Sequence, residues 1–181
     1  MGRQMIQSER LELIPATAST TRAALEDNRE QLSALLHAHV PSSWPPDLLD
    51  PPSLEWVLRS LADPGYDPRW GLFWVVLRDS PVGPTLIGTA GIKGKPKDGS
   101  VELGYGIVAE HQRRGYATEA RRALLRHSFA SPHVQRVIAE TLPGLVSSIG
   151  ILEKCGFRFI GDGSEPGVIR YEILRTLPHE P

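Results

Sequence analysis

Apolar residues recur along this chain first at the period of a strand, then at that of a helix, and the two periods alternate to the end. Residues 8–14 set Leu11 and Leu13 between polar neighbours and stop at Pro15, which predicts a short strand at one edge of a sheet. In residues 17–38, Leu25, Leu32, Leu35 and Leu36 return at roughly helical spacing and predict one or two helices. Residues 53–61 predict another, with Trp56 and Val57 facing inward. Between these helices PSSWPPDLLDPP holds five prolines in twelve residues, which excludes a regular helix or a central strand there. Residues 70–77 and 85–92 are apolar and β-branched, flank a turn at 79–84, and predict a strand pair.

The pattern sharpens at VELGYGIVAEHQRRGYATEA, residues 101–120. Val101, Leu103, Tyr105 and Ile107 share one strand face; Glu102, Gly104 and Gly106 share the other, which carries a single carboxylate. A turn at 112–117 then leads into a helix in which Ala117, Ala120 and Leu124 are spaced i, i+3, i+7, ending near Ala130. The unpaired N–H groups and the dipole at such a helix start attract anions. Residues 134–142 predict the next strand. Leu145, Ile149 and Leu152 predict a short helix that Gly156 is placed to end, and residues 157–161 and 168–174 predict two last strands about a turn at 162–167. Seven strands and four or five helices in this order fit an α/β (α+β) layer fold with helices packed on a sheet.

With 181 residues, the chain fits one domain spanning 1–181 that buries about 70% of its unfolded surface. Its net charge of −1 disfavours a globally basic nucleic-acid binder. Charge is uneven, however. Residues 110–126 hold five arginines and two glutamates, whereas residues 22–59 hold three arginines and six acids. The first patch suits a polyanionic cofactor and the second a cationic amine, although solvated helix faces explain the acidic region equally well. Cys155 is the only cysteine, which excludes an internal disulfide framework and a cysteine metal cluster. His37 and His39 lack an identified third ligand, so no metal is expected. No apolar run approaches signal-peptide or membrane length, and the chain is expected to be soluble and cytoplasmic. An apolar face on a short helix can meet the core or a second copy, so a homodimer stays open.

Residues 101–120 resemble the acyl-CoA loop of the GNAT superfamily of N-acetyltransferases, whose Gln/Arg-x-x-Gly-x-Gly/Ala pattern is met by Gln112, Gly115 and Ala117. ELGY before the loop, GYATEA after it and the later LEKCGF resemble the RimJ/RimL-like group, which acetylates ribosomal-protein N-termini and small amines. The resemblance covers residues 8 to about 177, including Leu177, and implies a GNAT fold: a mixed, mostly antiparallel sheet of about seven strands, splayed between the fourth and fifth. It implies acetyl-CoA as acyl donor and a primary amine as acceptor. Gln112, Arg113, Arg114, Gly115, Tyr116, Ala117 and Thr118 would hold the pyrophosphate, and the backbone of Ile107 and Val108 the pantetheine arm.

Transfer of acetyl from a thioester to an amine also needs a base, a stabilised oxyanion and an acid for the departing thiolate. Glu102 is the candidate base, because it is the one ionisable group on its strand face; an ordinary salt bridge explains it equally well. Many family members carry an acidic tyrosine where this chain has Leu152. The RimJ/RimL-like group has a serine one turn earlier, here Ser148, which answers equally to catalytic acid and to helix N-cap. The group's pantetheine-contacting asparagine is replaced by Leu145 or Val146. Trp44, in the proline-rich loop, is the tryptophan best suited to line a substrate entrance. The rival reading is a catalytically silent acyl-CoA-binding or regulatory module.

Overall fold

Alternation at Leu11, Leu13 and Pro15, all buried, produces the strand predicted near the start, but it is not the edge of the sheet. In the computed structural model, which describes residues 5–176, a two-residue strand β1 (Ile6–Gln7) pairs outside it; the sequence-read boundary at Leu177 lies outside the described residues. The order along the chain is then β2 (Leu11–Pro15), α1 (Ala18–Leu25), α2 (Arg29–Leu36), α3 (Pro51–Leu61), β3 (Leu72–Leu77), β4 (Thr85–Ile92), β5 (Ser100–Ile107), α4 (Tyr116–Ala130), β6 (Arg136–Thr141), α5 (Val146–Lys154), β7 (Arg158–Asp162) and β8 (Ile169–Leu174). The eight strands form one sheet ordered β1-β2-β3-β4-β5-β6-β8-β7, antiparallel except for the β5–β6 pair. Eight rather than seven strands result because two residues are too few to show a period.

Helices cover both faces. On one, the Trp74 indole donates to Thr20 Oγ1 of α1 at 2.9 Å, deep in the core. On the other, Phe73 meets His127 of α4 edge-on at 6.1 Å. Neighbouring residues of β3 thus anchor opposite layers, as the pleat requires. Local chemistry explains the helix boundaries. Thr17 and Thr20 form a reciprocal capping box on α1. Asp50 caps α3, with Pro51 and Pro52 in its first turn, so the proline-rich segment ends by starting a helix instead of excluding one. Trp56 of that helix is 48% exposed, against the inward position expected, because Leu54 and Val57 already define its buried side.

One discontinuity in the sheet organises everything downstream. β5 and β6 pair over only four positions, from Ser100 opposite Arg136 to Leu103 opposite Ala139. Beyond these, residues Gly104–Ile107 stay with β4, and Glu140 and Thr141 stay with β8. The strands part, and the sheet opens into a V. No helix among the described residues is long and apolar enough to cross a membrane.

Candidate functional site

Helix α4 begins where the chain leaves the open end of β5. Gln112 Nε2 donates to the Ile107 carbonyl at 2.8 Å and pins the turn to the strand. Arg113 at φ +60° and Gly115 at φ +82° are both left-handed, a turn geometry in which successive N–H groups can share one anion. Glu119 N–H closes the first helical turn on the Gly115 carbonyl at 3.0 Å. The amides of Tyr116, Ala117 and Thr118 ahead of it therefore lie at the donor end of the helix, and Arg113 and Arg114 stand exposed beside them.

This loop is braced from the β1–β2 edge of the sheet. Ser8 Oγ and Arg10 N–H both donate to Glu119 at 2.7 Å, and Arg10 Nη1 donates to the Arg114 carbonyl at 3.2 Å. The Arg10 guanidinium also sits 4.5 Å from the centre of the Tyr116 ring. Burial works to raise the Glu119 carboxyl, but the hydrogen bonds from Ser8 and Arg10 outweigh it and hold the group below its ordinary value. Nothing in the local sequence pattern marks Ser8 or Arg10 for this role.

The second part of the site is the parted edge of β5. Val108 N–H donates to the Ile87 carbonyl at 2.9 Å, and Lys93 N–H to the Glu102 carbonyl at the same distance, so the even-numbered residues of β5 bond towards β4. The odd-numbered residues turn their backbone groups the other way. Past Leu103 that direction is the open V, and Tyr105 and Ile107 present backbone there. Val108 does not, since its carbonyl accepts from His111 N–H at 2.9 Å. Of the two residues expected along a pantetheine arm, Ile107 turns its N–H to the opening while Gln112 takes its carbonyl, and Val108 is engaged on both sides elsewhere. The Tyr105 backbone groups, the Ile107 N–H and the donor end of α4 fit a long, amide-bearing, phosphate-terminated ligand.

The two faces of β5 differ in kind. Val101, Leu103 and Ile107 are buried towards α4 with Tyr105 beside them, whereas Gly104 has open space where a side chain would stand. Pro46 of the proline-rich loop packs over Gly106, where a Cβ would lie 3.2 Å from it. Glu102 lies on this glycine face and pairs with Lys93, just inside the hydrogen-bonded half of β5. The register adds a carboxylate that the sequence reading missed. Ile138 stands beside Glu102, so Glu140, two residues on, shares its face at the mouth of the V. Arg170 holds Glu140 through a 2.6 Å contact, and Ser164 donates to it from N–H and Oγ at 2.8 and 2.6 Å. Burial raises this carboxyl, and its hydrogen bonds lower it further than burial raises it, leaving it below its ordinary value. Alternation within β6 marked Glu140 as polar-facing; only the strand pairing says which face that is.

The match to the model of the acetyltransferase (GNAT) domain runs over residues 10–158, most of the chain. The chain belongs to the GNAT acetyltransferases. Two Bacillus subtilis proteins, the uncharacterized N-acetyltransferases YnaD and YjdG, are 31% and 28% identical to it over 86 and 85 residues, 48% and 46% of this chain. The chain spans about half the length of these curated relatives, 49% of each. Among solved structures, a RimL ribosomal α-N-protein acetyltransferase in complex with coenzyme A aligns with a TM-score of 0.65 at 17% identity, covering 94% of this chain and 98% of that one. The microcin self-immunity acetyltransferase MccE, in complex with acetyl-CoA and AMP, aligns at 0.63 and 14%, covering 93% and 94%. An acetyltransferase from Agrobacterium tumefaciens aligns at 0.65 and 23%, covering 97% and 96%. At these identities the structures show a shared fold.

Within this GNAT domain, α5 closes the V on the α4 side. Leu145 occupies the N-cap position without a side-chain hydrogen bond, so Ser147 and Ser148 are helical residues and the capping role read for Ser148 is withdrawn. Its Oγ instead lies 3.4 Å from the Tyr105 hydroxyl. Leu152, where many GNAT enzymes have tyrosine, is fully buried. Leu145 and Val146 are exposed and offer no side-chain hydrogen bond. Trp44 is also corrected. It is 3% exposed and packs against Trp74 at 5.9 Å, because the proline-rich loop folds its large ring into the core and leaves Pro46 at the strand. A cleft of about 420 Å³ lined by Asp63, Tyr66, Asp67, Trp70 and Lys95 lies past the opposite end of β4 and β5 from the V, so its size does not make it the acyl-transfer site.

Proposed function

We propose that this GNAT domain is an acetyl-CoA-dependent N-acetyltransferase that acetylates a primary amine, either a peptide α-amine or a small amine, within a direct ternary complex. The observation that carries this reading is the V itself: the backbone groups of Tyr105, the N–H of Ile107 and the donor end of α4 border one opening in the sheet. The fold shared with RimL supports a RimJ/RimL-like placement and a peptide α-amine as the first acceptor to try.

Acetyl-CoA, when bound, supplies the activated acyl group; the roles that follow belong to the chain. Gln112 to Thr118 holds the pyrophosphate, with Arg113 and Arg114 adding charge. Backbone N–H groups on the parted edge of β5 stabilise the oxyanion. The amine approaches from the glycine face, where Gly104 leaves room and Glu102 and Glu140 supply negative charge. Glu102 accepts the amine proton through water. A weak base suffices for an α-amine, about 10% of which is neutral at pH 7, but fits a lysine side chain poorly. Ser148 stands near the thiol side of the opening.

Two measurements test this. Calorimetric titration with acetyl-CoA should give binding below millimolar concentration, and no binding at that level sinks the proposal. Thiol release should then appear against at least one class among peptide N-termini, polyamines and aminoglycosides. Binding without release against all of them would favour the silent acyl-CoA module, a reading that the apolar side chains at Leu145 and Leu152 support.

A further inference from the structure

The acid for the departing thiolate is better placed on β5 than on α5. A thiolate leaving next to a newly formed amide needs a proton donor of comparable acidity, and a phenol matches a thiol more closely than an alcohol does. On the α4 side of the V, where α5 faces β5, Tyr105 is the phenol whose hydroxyl reaches α5. The Tyr105 side chain projects from the first residue of the parted strand whose backbone faces the opening, and its hydroxyl is 3.4 Å from Ser148 Oγ.

The residue above Tyr105 is unusual for its surroundings. The Arg121 guanidinium of α4 lies 4.4 Å from the centre of the Tyr105 ring and 5.5 Å from that of Phe157. It is 3% exposed, its Nη1 has no hydrogen-bond partner, and no ion pair reaches it among the described residues. A buried cation without a carboxylate is costly unless something nearby becomes negative. Burial depresses its affinity for a proton, while Tyr105 and Cys155 act weakly the other way. The aromatic faces recover part of the cost. A negative charge formed beside Tyr105 during turnover would recover more.

We infer that Tyr105 is the general acid of the acyl transfer, with Ser148 hydrogen-bonded to it and Arg121 acting as a positioning residue that holds the phenol and offsets the negative charge. This deepens the proposed function and rests on it. Tyr105 gives its phenolic proton to sulfur as the carbon–sulfur bond breaks and its electron pair moves onto sulfur. The amine nitrogen, having bonded to the carbonyl carbon, releases its proton to water, and water returns one to the Tyr105 oxygen.

The test compares wild type, Tyr105→Phe and Arg121→Leu. At saturating acetyl-CoA, Tyr105→Phe should lower kcat at least tenfold with KM for acetyl-CoA within twofold. Calorimetry supplies a readout independent of turnover. Wild type should bind coenzyme A about fivefold tighter than desulfo-coenzyme A, and Tyr105→Phe should remove that preference while binding the desulfo compound within twofold of wild type. Arg121→Leu should reduce the preference and kcat together, as a merely structural residue would not. If Tyr105→Phe fails to fold, replacement of Tyr105 by the more acidic 3-fluorotyrosine should move the alkaline limb of kcat to lower pH; an unmoved limb overturns the assignment. Active wild type with an equally active, folded Tyr105→Phe overturns the role of Tyr105 alone. Inactive wild type with no affinity for acetyl-CoA overturns the proposed function and this role with it.

Discussion

Gly115 carries the strictest residue-scale demand in the loop. Its φ of +82° is left-handed, and an added Cβ would lie 3.4 Å from Arg10 Nη2. Gly115→Ala should cost about 1–2 kcal/mol and weaken acetyl-CoA binding several-fold, measured by thermal melts and calorimetry. Glu119 and Glu140 make a second, pH-dependent prediction. Both carboxyls lie below their ordinary value of 4.5 in the folded chain, so they ionise more readily folded than unfolded. Their stabilisation is therefore complete above about pH 4.5 and disappears as pH falls through the lowered folded values. Melting temperatures between pH 3 and 6 should show a steep acid-side decline, and the decline should flatten in Glu119→Gln, which should also cost about 1–2 kcal/mol at neutral pH. Glu102→Gln tests the base. A loss of tenfold or more in turnover with cofactor affinity unchanged supports it, while an unchanged rate returns Glu102 to a structural ion pair with Lys93.

At the scale of elements, β4 and β5 form the fixed arm of the V, and they approach closely because Gly88 has no side chain. A Cβ there would collide with the Gly106 carbonyl and crowd Ile107. Gly88→Ala should destabilise by about 1–3 kcal/mol and should displace the edge that faces the V, lowering cofactor affinity more than an equally destabilising change elsewhere in the core. Helix α5 faces this arm, and Gly156 N–H bonds the Glu153 carbonyl at 2.9 Å and Phe157 N–H the Leu152 carbonyl at 3.1 Å, closing its end as a Schellman turn. Such features also explain what was legible. Alternation in β5, helical spacing in α4 and Gly156 are local signals, and all of them stand in the sequence. The position of Glu140 beside Glu102, the bracing of Glu119 by Ser8 and Arg10, and the stacking of Arg121 on Tyr105 depend on pairing register and on contacts between distant segments, which no window of sequence contains. Trp44 and Trp56 were misplaced for the same reason, since their roles follow from how a proline-rich loop and a helix dock.

For the whole molecule, four paired positions between β5 and β6 provide the hydrogen-bonded continuity between a five-stranded and a three-stranded half of the sheet. A ligand bonding to the parted edge would join the two halves, so binding and stability should be strongly linked. Acetyl-CoA at one hundred times its Kd should add about 2.7 kcal/mol, or roughly 5–11 °C in melting temperature for a chain of this size. A shift below about 1 °C would argue against binding in the V. The brace at Arg10 has a different consequence. Because the segment leading into β2 reaches the turn before α4 directly through Glu119 and Arg114, a force or modification applied near Ser8 should, on the proposed function, register as altered acetyl-CoA affinity before it registers as unfolding. That stretch is a handle on the loop, and a fusion partner placed beside it would report on, and interfere with, the very interaction under assay.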